Sequence, residues 1–366
     1  LNDPHKALDG TLLALLGDGP GIGGGIARYN CDWLRAQQPR PVHAVLRHSQ
    51  QPQAWLNGGQ FRIASGRLAY IRAAWAMCRQ LRPTVIYCGH LHYAPLAAWL
   101  CRRFGARLWL QLHGVEAWPI PSASRRRAAE SAALVSCVSR YTRSRFLSWA
   151  RIAAERVRVL PNTVGEEFVP AANQIPNTEL QQRIGNLDRP RLLTVGRISA
   201  SERYKGHDLV IQALPSLLRT SAQVQYLIAG DGDDLPRLRL LAADLGVTDH
   251  VVFLGHVAHS DLPDLYRLAD LYVMPSSGEG FGIVYLEAMC CGTPALGLAG
   301  DGSADPLVDG ELGILTASPA HLAGDLASAL QRNWDHTRLA QQARARFGFQ
   351  HFQILIKQLT DRISYA

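Results

Sequence analysis

Lysine is almost missing from this chain: of 38 lysines and arginines in 366 residues, only Lys6, Lys205 and Lys357 are lysine. Positive charge is therefore mostly arginine charge, planar and fitted to forked contacts with carboxylate or phosphate. No run of about 18 uncharged apolar residues occurs, which argues against a membrane-spanning helix. Leu12–Leu16 is too short and badly flanked for a secretory signal core. The expected location is the cytoplasm, with peripheral attachment to the inner face of the membrane left open. Seven cysteines, among them the adjacent Cys290 and Cys291, include no C-x-x-C pair. Neither a zinc pattern nor a disulfide framework is legible, and reduced, buried thiols are expected. No low-complexity tract and no repeat with a period of about 20–50 residues stands out. The chain starts without methionine, so Leu1–Gly10 reads as an internal start or a trimmed end.

The length suits two cores, and the charge divides the chain unevenly. Residues 1–164 hold 22 Lys and Arg against 7 Asp and Glu, whereas the rest holds 16 against 23. Seven of the eight tryptophans also lie in the first half. An arginine- and tryptophan-rich half suits a surface for anionic lipid headgroups, diphosphate-linked acceptors or nucleic acid.

Short β-branched runs alternate with helical patterns throughout, which implies parallel sheets covered by helices. Strands are expected at Thr11–Leu16, Val42–Arg47, Thr84–Cys88, Arg107–Leu112, Ala133–Val138 and Val157–Leu160. A second series is expected at Arg191–Val195, Gln223–Ala229, His250–Leu254, Leu271–Met274 and Pro294–Leu298. Helices are expected around Asp208–Leu218, Leu235–Leu245 and Phe281–Cys290, and from about Arg338 onward. The fold class is α/β with two Rossmann-like domains, residues 1–165 and 191–345, joined by a proline-bearing connector at 166–190. Residues 346–366 complete the chain as a helix. In open parallel sheets ligands bind beyond the carboxyl ends of the strands, so the chemistry is expected between the domains.

The segment from Ser277 to Met289, S-G-E-G-F-G-I-V-Y-L-E-A-M, runs from a glycine-rich loop into a helix. Gly278, Gly280 and Gly282 allow backbone amides to approach a ligand, and the free N–H groups of Gly282, Ile283 and Val284 at a helix start attract phosphate. Glu279 in the loop and Glu287 two turns into the helix would lie about 12 Å apart along the axis at 1.5 Å per residue, the span of a sugar joined through two phosphates to a ribose. Arg197, in V-G-R-I-S at a strand end, and Lys205, in Y-K-G-H-D, are the cations a diphosphate leaving group requires. Charge on that group grows as the glycosidic bond breaks, so stabilising it is catalytic.

The loop after the first strand has a formal G-x-G-x-x-G at Gly19, Gly21 and Gly24. The second strand ends in Arg47 and His48, not in the acidic residue that would hold a dinucleotide ribose. Basic residues there suit a 2′-phosphate, so a NADP-dependent oxidoreductase stays open, as does a non-enzymatic basic module for nucleic acid or membrane surfaces. The preferred use of Gly24 and Gly25 is a helix start whose amides approach a donor diphosphate or an acceptor. His113, after the strand R-L-W-L-Q-L, is placed to bond a sugar hydroxyl or a leaving phosphate. Asp231-Gly232-Asp233-Asp234 invites a metal, but its position between strand and helix favours an aspartate cap.

Taken together, these residues resemble the family-four retaining glycosyltransferases of the GT-B fold. The motifs are E-G-F-G-I-V-Y-L-E, G-G-G-I-A-R-Y, H-G, V-L-P-N-T, V-G-R, K-G, A-G-D-G and E-A-M-C-C-G-T-P, strongest between Thr194 and Pro294. The resemblance implies that Glu279 lies beside the donor sugar, Glu287 binds ribose, Arg197 and Lys205 grip the diphosphate, and His113 contacts the sugar or assists catalysis. It also implies backbone contacts from Phe281, Gly282 and Ile283, a base-binding turn around Val257, an acceptor site in the N-terminal domain and a last helix that crosses back to it. The loop D-G-S-A-D-P at 301–306 departs from the family pattern and leaves sugar selectivity open. The expected activity is transfer of a hexose, mannose or glucose, from a nucleoside diphosphate sugar to a glycan or lipid-linked hydroxyl in envelope or exopolysaccharide synthesis. Configuration would be retained, with no metal, no cofactor and no nucleic-acid partner.

Overall fold

The computed structural model describes residues 10–19, 24–49, 59–170, 178–185, 188–220 and 223–365. The chain forms two compact units. The first comprises Leu1–Thr163 with Phe349–Ala366, and the second Val164–Gly348.

The first unit is built on β1 (Leu12–Asp18), β2 (Val42–His48), β3 (Phe61–Ile63), β4 (Val85–Cys88), β5 (Arg107–Leu112), β6 (Leu134–Cys137) and β7 (Val157–Val159). All pairings are parallel, in the order β3-β2-β1-β4-β5-β6-β7. Such a sheet needs cover on both faces, which is why Leu12–Leu16 reads as an unbroken apolar run and is wholly buried. The helices are α1 (Gly25–Ala36), α2 (Arg67–Leu81), α3 (Ala94–Phe104), α4 (Ala123–Glu130) and α5 (Arg140–Leu147). The tryptophans correct the surface expectation. Trp33 and Trp109 are fully buried, and Trp33 stacks on Tyr87 with centroids 3.7 Å apart. Trp33 and Trp109 thus fill core between α1 and the sheet, whereas Trp99 stays 42% exposed; Trp55 lies outside the described residues.

The second unit contains α6 (Thr178–Ile184), β8 (Arg191–Val195), α7 (His207–Thr220), β9 (Gln225–Ala229), α8 (Leu235–Asp244), β10 (Val251–Gly255), α9 (Leu262–Leu268), β11 (Leu271–Met274), α10 (Ile283–Cys290), β12 (Ala295–Leu298), β13 (Ile314–Thr316), α11 (Leu322–Gln331) and α12 (His336–Phe347). Its parallel sheet runs β10-β9-β8-β11-β12-β13. The described part of the connector is not structureless. Leu180 and Ile184, four residues apart, are buried on one face of α6. The terminal helical stretch is two helices broken at Gly348, α12 in the second unit and α13 (Phe349–Tyr365) in the first. There α13 is fixed by Arg107, whose guanidinium donates to the Ile363 carbonyl at 2.7 Å, and by Gln37, which donates to the Thr360 hydroxyl at 3.2 Å.

Candidate functional site

In each sheet the chain reverses its direction of winding once, between β1 and β4 in the first and between β8 and β11 in the second. Loops leaving neighbouring strands on opposite sides of such a point open a crevice. In the second unit these loops carry Arg197 and Lys205, after β8, and Glu279, after β11. Backbone bonding joins them: the Ser277 amide donates to the Tyr204 carbonyl at 2.9 Å.

The two cations share a carboxylate that sequence reasoning missed. Glu202 pairs with Arg197 through one oxygen and with Lys205 Nζ at 3.0 Å through the other. Arg197 is 77% exposed, whereas Lys205 is 14% exposed and packs over Gly196, where an added Cβ would stand 3.3 Å from Nζ. Lys205 is therefore the packed cation and Arg197 the solvent-facing one. The signal was a lone acid between two predicted diphosphate ligands.

Glu279 is partly exposed, yet desolvation raises its carboxyl pKa against the pull of the Lys205 ammonium and of the Gly280 and Phe281 amides. Those amide bonds qualify the expectation for Phe281: its N–H faces Glu279, and its ring is buried 6.0 Å from Phe347. The loop's shape is set by Asp301, a second residue missed. Asp301 Oδ2 accepts the Glu279 amide at 2.7 Å, and the Gly302 amide returns a 2.9 Å bond to the Glu279 carbonyl. A Cβ on Gly302 would meet the Gly280 carbonyl oxygen at 2.1 Å. Burial raises the Asp301 pKa, with the Ser303 hydroxyl opposing. The divergent 301–306 loop is thus the brace of the Glu279 loop.

Gly282 is the N-cap of α10 at φ 85°, and no side chain caps that end. The helix accordingly begins at Ile283, two residues later than the sequence suggests, and Glu287 lies little more than one turn inside it. The 12 Å axial estimate, which assumes continuous helix, does not apply. Glu287 is 8% exposed and accepts a 2.7 Å bond from Tyr266 Oη, so a fully buried phenol orients the carboxylate. Val257 follows β10, an edge strand separated from β8 by β9, and is buried. The strand it follows ends beside the β8 exit: the Gly255 carbonyl accepts the Gly230 amide at 2.8 Å, and a Cβ on Gly230 would meet the Gly196 carbonyl oxygen at 1.8 Å.

The acidic loop after β9 does not form a cap. Asp234 occupies the N-cap of α8 without a side-chain capping bond, its carboxylate held instead by Arg203 at 2.7 Å and Arg237 at 2.6 Å. Asp233 accepts the Ala200 amide at 2.8 Å and Asp231 the Gly232 amide at 2.8 Å. These carboxylates are committed to arginines and backbone.

In the first unit, Gly24 caps α1 at φ 114°, and neither Gly24 nor Gly25 has an atom within 4 Å of where a Cβ would stand. The α1 start is open to solvent, whereas Gly21 and Gly23 lie outside the described residues. His113 follows β5. Its Nε2 lies 2.9 Å from the Gly89 carbonyl, which fixes that nitrogen as the donor, and burial lowers its pKa. The ring is neutral at pH 7, with Nδ1 the lone-pair acceptor. Nδ1 is thus the ring nitrogen able to accept, and Nε2 is committed to the Gly89 carbonyl.

Two family models match: "Glycosyltransferase Family 4" over residues 23–168 and "Glycosyl transferases group 1" over 177–346. Between them they take in most of both units. The chain belongs to the family-four glycosyltransferases of the GT-B fold.

A GDP-mannose-dependent alpha-(1-6)-phosphatidylinositol monomannoside mannosyltransferase of Mycolicibacterium smegmatis is 36% identical over 60% of this chain and 60% of its own length. An alpha-D-kanosaminyltransferase of Streptomyces kanamyceticus is 33% identical over 61% of this chain and 57% of its own. The chain thus spans about 60% of the length of these curated relatives. The crystal structure of Anabaena HepE in complex with UDP superposes with a TM-score of 0.80 at 21% identity, over 96% of this chain and 100% of that one. Nothing in these likenesses supports the oxidoreductase or the non-enzymatic module.

Proposed function

We propose that this protein is a retaining hexosyltransferase that moves mannose or glucose from a nucleoside diphosphate sugar to a hydroxyl of a glycan or lipid-linked acceptor. The observation that carries the proposal is the grouping of Arg197, Lys205 and Glu279 at the winding reversal of the second sheet, next to an uncapped helix start. Two cations and free amides stabilise a departing diphosphate without a metal ion. Glu202 holds those cations until the phosphates compete for them. Glu287, oriented by Tyr266, is suited to a ribose diol, and Glu279 to the hydroxyls of the sugar.

Among the described residues Asp301, the carboxylate bonded to the Glu279 loop, is spent on the Glu279 amide and Ser303, which disfavours its forming a covalent sugar intermediate. The favoured course is attack on the leaving-group face. The bond from C1 to the phosphate oxygen breaks, the bond from C1 to the acceptor oxygen forms on the same side, and the acceptor proton passes to the departing phosphate. The first unit, basic and open at Gly24 and Gly25, takes the acceptor, with His113 Nδ1 accepting from a hydroxyl. Its charge also suits an anionic membrane surface, consistent with envelope or exopolysaccharide synthesis. Among the described residues no helix is long and apolar enough to cross a membrane.

GDP-mannose is the first donor to assay, since a relative is named for it, and UDP-glucose the second. With the active donor and a chelator present, Lys205→Ala is expected to lower kcat by about 10²–10³ and Arg197→Ala to act in the same direction. Undiminished turnover in both variants would refute the diphosphate assignment.

A further inference from the structure

A cavity of about 610 Å³ in the first unit is lined by Arg47, Arg67 and Arg125 together with His92, Ser122 and Ser124, and no aspartate or glutamate is among its lining residues. The three guanidiniums come from separate elements: the end of β2, the first residue of α2 and the first turn of α4. His92 reports their convergence, because its pKa is lowered by burial and then by Arg125, His90, Arg47 and Arg67. The neutral ring accepts a 2.8 Å bond from Arg125 at Nδ1. Arg47 reaches the Tyr93 hydroxyl, yet its Nε is buried without a hydrogen-bond partner. Asp18, whose charge reaches Tyr93, is paired with His48 at 3.1 Å.

The helix starts reinforce the charge. Neither α2 nor α4 has an acidic residue in its first turn or a side-chain cap, and the Ser122 hydroxyl pairs with that of Ser124 at 3.2 Å instead. Arginine at the first position of α2 opposes the helix dipole. Three guanidiniums, two uncapped helix starts and a buried unpartnered N–H together favour a polyoxygen anion. A cavity of this size also holds more than an anion alone. It shares His92 and Tyr93 with a smaller cavity of about 190 Å³, lined also by Asp18 and His90, at the winding reversal of the first sheet.

We propose that the larger cavity binds the phosphate of a phosphorylated acceptor, as monoester or diester, and so selects acceptors that carry one. This rests on the transferase reading only in calling the ligand an acceptor. The test is titration of the full chain, in phosphate-free buffer, with glucose 6-phosphate against glucose, and with phosphatidylinositol-containing against pure phosphatidylcholine vesicles. Preference for the soluble ester identifies a sugar phosphate, and preference for the vesicle a lipid headgroup; either supports the cavity. Arg67→Gln and Arg125→Gln are each expected to weaken the preferred ligand by about tenfold while changing GDP affinity less than about twofold.

The proposal is overturned if phosphate confers no preference in either arm, or if the variants weaken GDP and the phosphate ligand equally. No glycosyl transfer enters the readout. An enzyme inactive with every sugar nucleotide would remove the donor assignment and leave the phosphate result standing.

Discussion

Gly282 offers a sharp test of how the donor loop is held. An alanine Cβ there would lie 2.4 Å from Tyr285 Cε2 and 3.2 Å from Glu279 Cγ, at φ +85°. The Tyr285 ring cannot retreat, because it is fully buried and its hydroxyl donates to the Met274 carbonyl at 2.5 Å. A left-handed backbone costs about 1–2 kcal/mol for a residue with a Cβ, and forcing a methyl into filled space about 1–3 kcal/mol. Gly282→Ala should therefore destabilise the second unit by about 2–5 kcal/mol, roughly 4–20 °C in Tm at 2–4 °C per kcal/mol. Gly300→Ala is the internal control. Its φ is also positive, at +109°, but nothing lies within 4 Å of its Cβ position, so only the backbone cost applies. Calorimetry of both variants reads the difference, and donor KM should rise in Gly282→Ala alone. Equal Tm shifts in the two proteins would refute the packing argument.

Tyr266→Phe removes the phenol from Glu287 and should cost about 1.5–3 kcal/mol of stability, with donor KM raised about tenfold; lost stability with an unchanged KM would make the bond purely structural. His207 supplies a pH dependence. Burial and Lys205 lower its pKa from 6.5 to about 4, and its Nε2 has no partner. The unfolded chain takes up a proton below about pH 6.5 while the folded one resists until about pH 4. Across that window about 3 kcal/mol of stability should be lost as pH falls. Denaturant titrations at several pH values check this, and His207→Gln should flatten the curve there.

What could be read from sequence followed local pattern. The inner strands were legible because a strand buried on both faces is an uninterrupted apolar run, as in Leu12–Leu16. The strands missed, β3 and β13, are three-residue edges whose pairing is decided by a neighbour far along the chain. Arg197, Lys205 and Glu279 were legible as charged groups at strand ends, and the structure brings them to adjoining loops. Glu202, Asp301 and Tyr266 were not, since each acts through a partner from another turn or element: a cation pair, a loop amide, a carboxylate. The early helix start expected at Phe281 came from apolar periodicity, which cannot sense the positive φ of Gly282. The tryptophans were legible only in part, because composition counts aromatic rings without telling which way they point: Trp33 and Trp109 are core, whereas Trp99 is exposed.

The placement of α13 has a consequence for biosynthesis. Its contacts with Gln37 and Arg107 belong to the first unit, yet α13 leaves the ribosome only after all of Val164–Gly348. All seven strands of the first sheet are made by then, but α1 stays uncovered by α13 while the whole second unit is made. A truncation just before Phe349 would strip the first unit of a flank although its own leading 163 residues were intact.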